Sequence, residues 1–471
     1  MQEMATQVVD VLNGLIWGKV LIWLLVGCGL YFSARLGLIQ LRHFGHIFSV
    51  LKGSRQSDGA GISSFQALCT SLAARVGTGN IAGVAVAITL GGPGAIFWMW
   101  VIALVGMATG FVEATLAQLF KVRDDQGLFR GGPAYYMEKG LNARWMGVLF
   151  SVFLIIAFGF VFNSVQANTI SGAMQGAFNV PVWASGLGIV LMTALIIFGG
   201  LRAIARFSEL AVPFMAGAYL IVAITVILMN LGEIPSVLAL IVKSAFGLHE
   251  AAAGALGAAI MNGFKRGLFS NEAGMGSAPN AAASATPYPP HPVSQGYVQM
   301  AGVFIDTMLI CTASAAIILL AKVPAGDAQG IMLVQQALTS EVGGWGKYFL
   351  AVMILFFAFT SIVANYFYAE NCLVFLEHNH PAGLLVFRLA VLGMVMFGAL
   401  ASLPFVWSLA DVSMGLMAIT NLVAILLLSN LALKLARDYN MQRQAGKLPT
   451  FDASHYPEVQ AKLEPGIWDN R

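Results

Sequence analysis

Arg75-Val-Gly-Thr-Gly-Asn-Ile-Ala-Gly-Val-Ala-Val-Ala-Ile-Thr-Leu-Gly-Gly-Pro-Gly-Ala-Ile-Phe-Trp-Met-Trp100 decides the fold. It starts inside an apolar segment, about residues 63–90, long enough to cross a bilayer. Arg75 brings a charge to the middle of that segment, Gly77 and Gly79 are poor helix formers, and Thr78 and Asn80 are polar. A helix that only spans lipid has no use for such a cluster. Irregular backbone at membrane depth is tolerated where protein or a water-filled cavity surrounds it. The spacing therefore predicts a helix unwound at Val76–Asn80, with backbone groups free for a ligand.

Composition agrees with a membrane setting. Of the 471 residues, 58% are hydrophobic and only 10% charged, against about 25% charged in soluble domains. The 51 glycines suit helices that pack closely or break. Cys28, Cys69, Cys311 and Cys372 all sit in apolar runs with no disulfide or metal-ligand spacing. The net charge of +3 is small, and nothing points to nucleic acid, an organic cofactor or an obligatory protein partner.

Apolar runs predict an all-α polytopic membrane protein with eleven transmembrane helices, near 11–33, 63–90, 94–120, 146–178, 183–199, 204–230, 251–285, 295–321, 347–376, 384–401 and 404–433. The first, with its loop, makes a unit 1–62, and the first apolar run is too long for a cleaved leader. Residues 234–246 and 331–342 read as amphipathic helices at the surface. With the N-terminus outside, 18 of the 25 Lys and Arg residues fall on the inner side and four outside (Lys19, Lys243, Lys322, Lys347), so the charge bias predicts N-out and C-in. The tail 434–471 reads as a loosely ordered cytoplasmic extension.

The seventh segment carries the other comparable interruption, Gly267-Leu-Phe-Ser-Asn-Glu-Ala-Gly-Met-Gly-Ser-Ala-Pro279. Breaks at the first helix of each of two five-helix halves point to an inverted-repeat transporter. The halves are 63–230 and 251–433, joined by an outer connection 231–250.

Gly91-Gly-Pro-Gly-Ala-Ile-Phe-Trp-Met-Trp-Val-Ile-Ala-Leu-Val-Gly106 resembles the signature of the alanine or glycine:cation symporter family, and the blocks 76–85 and 266–279 resemble two further family blocks. The resemblance covers nearly the whole chain. It implies a LeuT-type five-plus-five fold and sodium-coupled, sometimes proton-coupled, uptake of small amino acids such as alanine and glycine across the plasma membrane, a bacterial inner membrane. Which of the two is carried, in L or D form, and which cation drives it stay open, as does a transporter-like amino-acid sensor.

A zwitterion needs partners for both ends. Amides freed at the start of the second half-helix, on Thr78, Gly79 and Asn80, lie at the positive end of its dipole and suit a carboxylate. Carbonyls freed before the break, on Ala73 and Val76, suit sodium; by resemblance, Thr360 and Ser361 complete that ion site. Those two hydroxyls also have the option of bonding back to their own helix. Asn163, Gln166 and Asn168 are polar in an apolar segment, and Gln166 matches a family position near the substrate. Asn365 follows Ser361 by four residues and shares its helix face. Family members can carry tryptophan where this chain has Asn365, which bears on pocket size and polarity. Met275 and Phe162 are candidate apolar walls. Glu272 reads as a proton site, an ammonium partner, or a structural partner for Lys265, Arg266 or Arg75. Glu113, Asp306 and Asp411 are intramembrane acids whose spacing says nothing more. The histidines (His43, His46, His249, His291, His378, His380, His455) fall in loops or at helix ends and outline no enzyme site.

Overall fold

The computed structural model describes residues 2–56, 61–198, 200–248, 253–321, 323, 328–377 and 380–468. His249, Lys322 and His378 lie outside them. Nine helices among the described residues are long and apolar enough to span a membrane. Around them run α1 (Thr6–Arg35), α2 (Ser64–Arg75), α3 (Thr78–Gly91), α4 (Gly94–Leu119), α5 (Arg144–Phe178), α6 (Val182–Ile197), α7 (Arg202–Met229), α8 (Ala253–Asn271), α9 (Pro279–Ala283), α10 (Pro292–Leu320), α11 (Gly346–Phe375), α12 (Pro381–Leu400), α13 (Leu403–Leu427) and α14 (Ser429–Gln444). The α2–α3 pair forms one of the nine spans. Expected segment 183–199 is the shorter apolar helix α6, and 251–285 divides into α8 and α9.

The two interrupted helices run antiparallel. Where α2 begins, Ile62–Ser63 pairs as a short parallel strand with Ala285–Thr286, just after α9. The Ser64 hydroxyl lies 3.3 Å from the Thr286 carbonyl. At the far end a Cβ on Gly91 would come within 3.0 Å of Ala258 O, near the start of α8. α2 starts with a reciprocal cap, in which Gln66 N–H donates to Ser63 Oγ and Ser63 N–H donates to Gln66 Oε1.

The amphipathic stretches are helices, Ile234–Ala245 and Ile331–Val342. The tail corrects the expectation of a loose extension. The last span stops at Leu427, and α14 begins where Lys434, Arg437 and Asp438 replace the apolar run. Beyond it, Trp468 is buried and its indole N–H donates to Leu119 O at 3.2 Å. Phe451 N–H donates to Pro290 O at 3.0 Å, and Lys139 pairs with Glu464 at 2.8 Å. Aromatic burial and these bonds order residues whose charge alone suggests solvent.

Candidate functional site

The first break is short. Val76 (φ −79°, ψ 82°) and Gly77 (φ −140°, ψ −139°) leave the helical region, and α3 restarts at Thr78. Only hydrogen fits on Gly77: a Cβ there would run into Ser361 Oγ and stand 2.9 Å from Gln166 Oε1. Three elements therefore meet at one glycine. The Ser361 hydroxyl, on α11, lies 2.7 Å from Ala73 O and 3.0 Å from Phe357 O, sharing one proton between them. The freed amide of Thr78 donates to Gln166 Oε1, on α5, at 3.0 Å. Gly77 N–H donates to Asn80 Oδ1 at 3.1 Å. Thr78 Oγ1 is buried with no hydrogen-bond partner among the described residues.

The other sequence candidates fall around this point. Asn365 Nδ2 donates to Asn163 Oδ1 at 3.1 Å, and its own Oδ1 is buried without a partner among the described residues. Asn163 anchors to Gly159 O at 3.1 Å, in a π-helical stretch, Ile155–Val161, where the backbone ladder is already loosened. Thr360 does not reach α2: its hydroxyl donates back to Phe357 O at 2.9 Å and faces Met215. Val76 lines a different cavity, of about 610 Å³, with Lys52 and Arg55. Gly79 packs under Phe269, whose Cδ1 is 2.7 Å from where its Cβ would be, and Phe269 packs against Phe162 with the rings tilted at 37° and their centroids 4.5 Å apart. Met275 is fully buried in the second break, with its N–H donating to Glu272 O at 3.0 Å. Asn168 bonds to Gly398 and Ala401 carbonyls on the α12 side.

The Asn80 side chain turns toward an acid. Its Nδ2 donates to Asp306 Oδ1 and lies 3.1 Å from Ser270 Oγ. Thr307 Oγ1 donates to Asp306 Oδ2 at 3.0 Å, and Ser270 Oγ lies 3.0 and 3.1 Å from the two carboxylate oxygens. Asp306 sits in a second π-helical stretch, Phe304–Cys311, fully buried, with no ion-pair partner among the described residues. The sequence marked Asp306 as an acid in an apolar run, but only the fold brings Ser270, Thr307 and Asn80 to it.

Arg75, one of the partners considered for Glu272, is buried and bonds to Gln299, Nη2 at 3.2 Å from Oε1. Lys265 and Arg266 do not pair with Glu272. Both bind Asp411, Lys265 at 3.4 Å, while Glu272 accepts from Ser277. Glu113 braces the second break: Gly274 N–H donates to it at 3.1 Å, and Asn421 Nδ2 donates both to it and to Gly274 O.

Residues 1–453 match the sodium:alanine symporter family. The chain belongs to that family. It is 51% identical over 453 residues (96% of this chain, 94% of the relative) to the probable sodium/glutamine symporter GlnT of Bacillus subtilis. It is 50% identical over 465 residues (98% of each) to the uncharacterized transporter YaaJ of Escherichia coli. Over 447 residues (93% and 97%) it is 38% identical to the sodium/alanine symporter AgcS of Methanococcus maripaludis. The chain is thus a multi-pass membrane transporter coupling amino-acid movement to sodium, and not an enzyme.

Proposed function

We propose that the protein carries a small neutral amino acid, alanine or glycine, into the cell with sodium by alternating access at the first break. The observation behind this is the Thr78 amide. It is freed by the break, sits at the positive end of α3, and is held by the neutral carbonyl of Gln166 at 3.0 Å beside a glycine with no room for a Cβ. A substrate carboxylate is the stronger acceptor and displaces Gln166, with the neighbouring amides of Gly79 and Asn80 at the same dipole end. Gln166, Ser361, Asn365 and Met275 form the surrounding wall.

The sodium ion sits against the Ala73 and Val76 carbonyls and the Thr360 and Ser361 hydroxyls. Of these, Ala73 and Ser361 are already in contact, and Thr360 turns from Phe357 O to join them. Asp306 supplies the compensating negative charge nearby. A buried carboxylate without a basic partner calls for a cation or a proton. The architecture is eleven helices, N-out and C-in, with inverted repeats 63–230 and 251–433; the antiparallel run of the two interrupted helices supports it. One charge crossing 100 mV supplies ~2.3 kcal/mol and a tenfold sodium gradient ~1.4 kcal/mol. Together they sustain roughly several hundred-fold accumulation.

A second substrate, glutamine, is favoured by one observation. The Asn163–Asn365 pair presents a buried carboxamide oxygen with no partner among the described residues, which suits the side-chain amide of glutamine, the solute in the name of the GlnT relative. Competition of alanine, glycine and glutamine for uptake into proteoliposomes, with and without sodium, tests both. Sodium-dependent accumulation of alanine or glycine supports the first reading, and preference for glutamine, lost in Asn365→Ala, supports the second. Binding without accumulation makes the protein a sensor, and accumulation driven by protons alone removes sodium.

A further inference from the structure

The cavity of about 610 Å³ that reaches Val76 lies between α2, α7, α10 and a short helix, Phe44–Gly53. Phe65, Leu68 and Leu72 form its wall along α2, at spacings that share one helix face, and lead to the Val76 side chain. Ala216 of α7 and Ile305 of α10 face them. Lys52 and Arg55, both exposed, also line it. The Arg55 guanidinium lies 4.8 Å over the Phe65 ring, which sets its charge at the start of α2, with Val76 at the far end.

Apart from these two cations and the Cys69 thiol, every lining side chain is a hydrocarbon or aromatic ring. A zwitterion entering there would shed water with nothing to replace it, whereas an alkyl chain fits. The depth fits too. The eleven steps from Phe65 to Val76 span about 16 Å at ~1.5 Å per residue, close to one leaflet's half of a ~30 Å hydrocarbon core. Phe48, one helical turn before Lys52 and on the same face, is exposed as well, as suits a helix lying in the membrane interface. Neither Lys52 nor Arg55 has an ion-pair partner among the described residues, and the acid on this side of α7, Glu209, accepts from Gln66 at 2.9 Å. Basic residues at the mouth of a pocket between spanning helices attract anionic head groups.

We propose that this cavity is a binding site for one anionic phospholipid, with the phosphate on Lys52 and Arg55 and an acyl chain laid along α2 as far as the first break. The site depends on the chain being embedded in a membrane and not on which amino acid is carried.

The test is native mass spectrometry of the purified full-length protein with phosphatidylglycerol and phosphatidylcholine of matched chains. Wild type retains one phosphatidylglycerol, preferred over phosphatidylcholine by roughly ten-fold or more. Lys52→Gln with Arg55→Gln abolishes the preference, while Lys52→Arg with Arg55→Lys, which keeps both charges, preserves it. Ala216→Phe, which narrows the apolar part, weakens retention of phosphatidylglycerol with the cations intact. Dihexanoylphosphatidylglycerol, with the same head group on six-carbon chains, binds at least roughly ten-fold more weakly, because each buried methylene contributes. Equal retention of the two lipids by wild type, or a preference indifferent to the paired glutamine substitutions, overturns the proposal. So does displacement of the lipid by millimolar inorganic phosphate, which would make the site one for a free anion. Uptake of amino acids is a separate measurement, so failure here leaves the transport reading standing.

Discussion

The two breaks differ in how their freed backbone groups are held. At the first, two residues leave the helix, both with negative φ, and the exposed amides are taken by neutral side-chain oxygens of Gln166 and Asn80. At the second, the irregular stretch runs from Glu272 to Ala278, with φ of +58° at Glu272, +93° at Gly274 and +84° at Gly276. Its backbone is tied through Glu113 and Asn421 to two other helices. Neutral acceptors yield to a charged ligand, whereas a buried carboxylate with two donors does not yield without a large desolvation cost. In the proposed reading, the first break exchanges partners with the substrate and the second stays put.

Single glycines separate the two roles most strongly. Gly77→Ala is expected to lower transport more than about a hundred-fold with the fold intact, since the added carbon meets movable side-chain oxygens. Gly276→Ala is expected to act on stability instead. It combines left-handed strain with a Cβ 2.8 Å from Asn421 Cγ, at a cost of about 1–3 kcal/mol. Thermal unfolding and uptake on both variants read this out, and matching profiles would erase the distinction.

Glu113→Gln puts an amide where Gly274 N–H and Asn421 Nδ2 both donate, and is expected to cost about 1–3 kcal/mol of stability. Unchanged unfolding would mean that the brace is not ionic. At the first break, Gln166→Glu places a resident carboxylate on the Thr78 amide and is expected to raise the substrate KM by roughly ten-fold. An unaltered KM would move the carboxylate site elsewhere.

The smallest effect belongs to the tail, far from either break. Burial first, and then the Arg443 charge, hold His43 and His46 down to about 4, against an ordinary 6.5. Both face α14, His43 through Arg443 at 3.2 Å and His46 through Tyr439 at 3.1 Å. With the tail released, His43 and His46 bind more protons between those values, so docking is intact above about 6.5 and weakens as pH falls toward 4. Amide exchange across Ser429–Gln444, corrected for intrinsic rates, should rise over that range before the spans respond.

Much of this contrast was legible in the chain. Glycine next to polar residues inside apolar runs located both breaks, and Ser361 and Gln166 do meet the first one. The helix face shared by Ser361 and Asn365 followed from a spacing of four. What stayed hidden depended on partners distant in sequence. Asp306 lies 226 residues from Asn80, and Glu113 lies 308 from Asn421. No local pattern pairs such residues. Arg75 meets the Gln299 amide, 224 residues away in the chain. The tail looked solvated by charge, yet aromatic residues as far along as Trp468 anchor it.

The most direct test is uptake of labelled alanine and glutamine into proteoliposomes under an inward sodium gradient. Wild type should concentrate one of them, lose it when the gradient is dissipated, and Gly77→Ala should accumulate neither. Equal uptake with potassium in place of sodium, or wild-type accumulation by Gly77→Ala, would contradict a sodium-coupled substrate site at the first break.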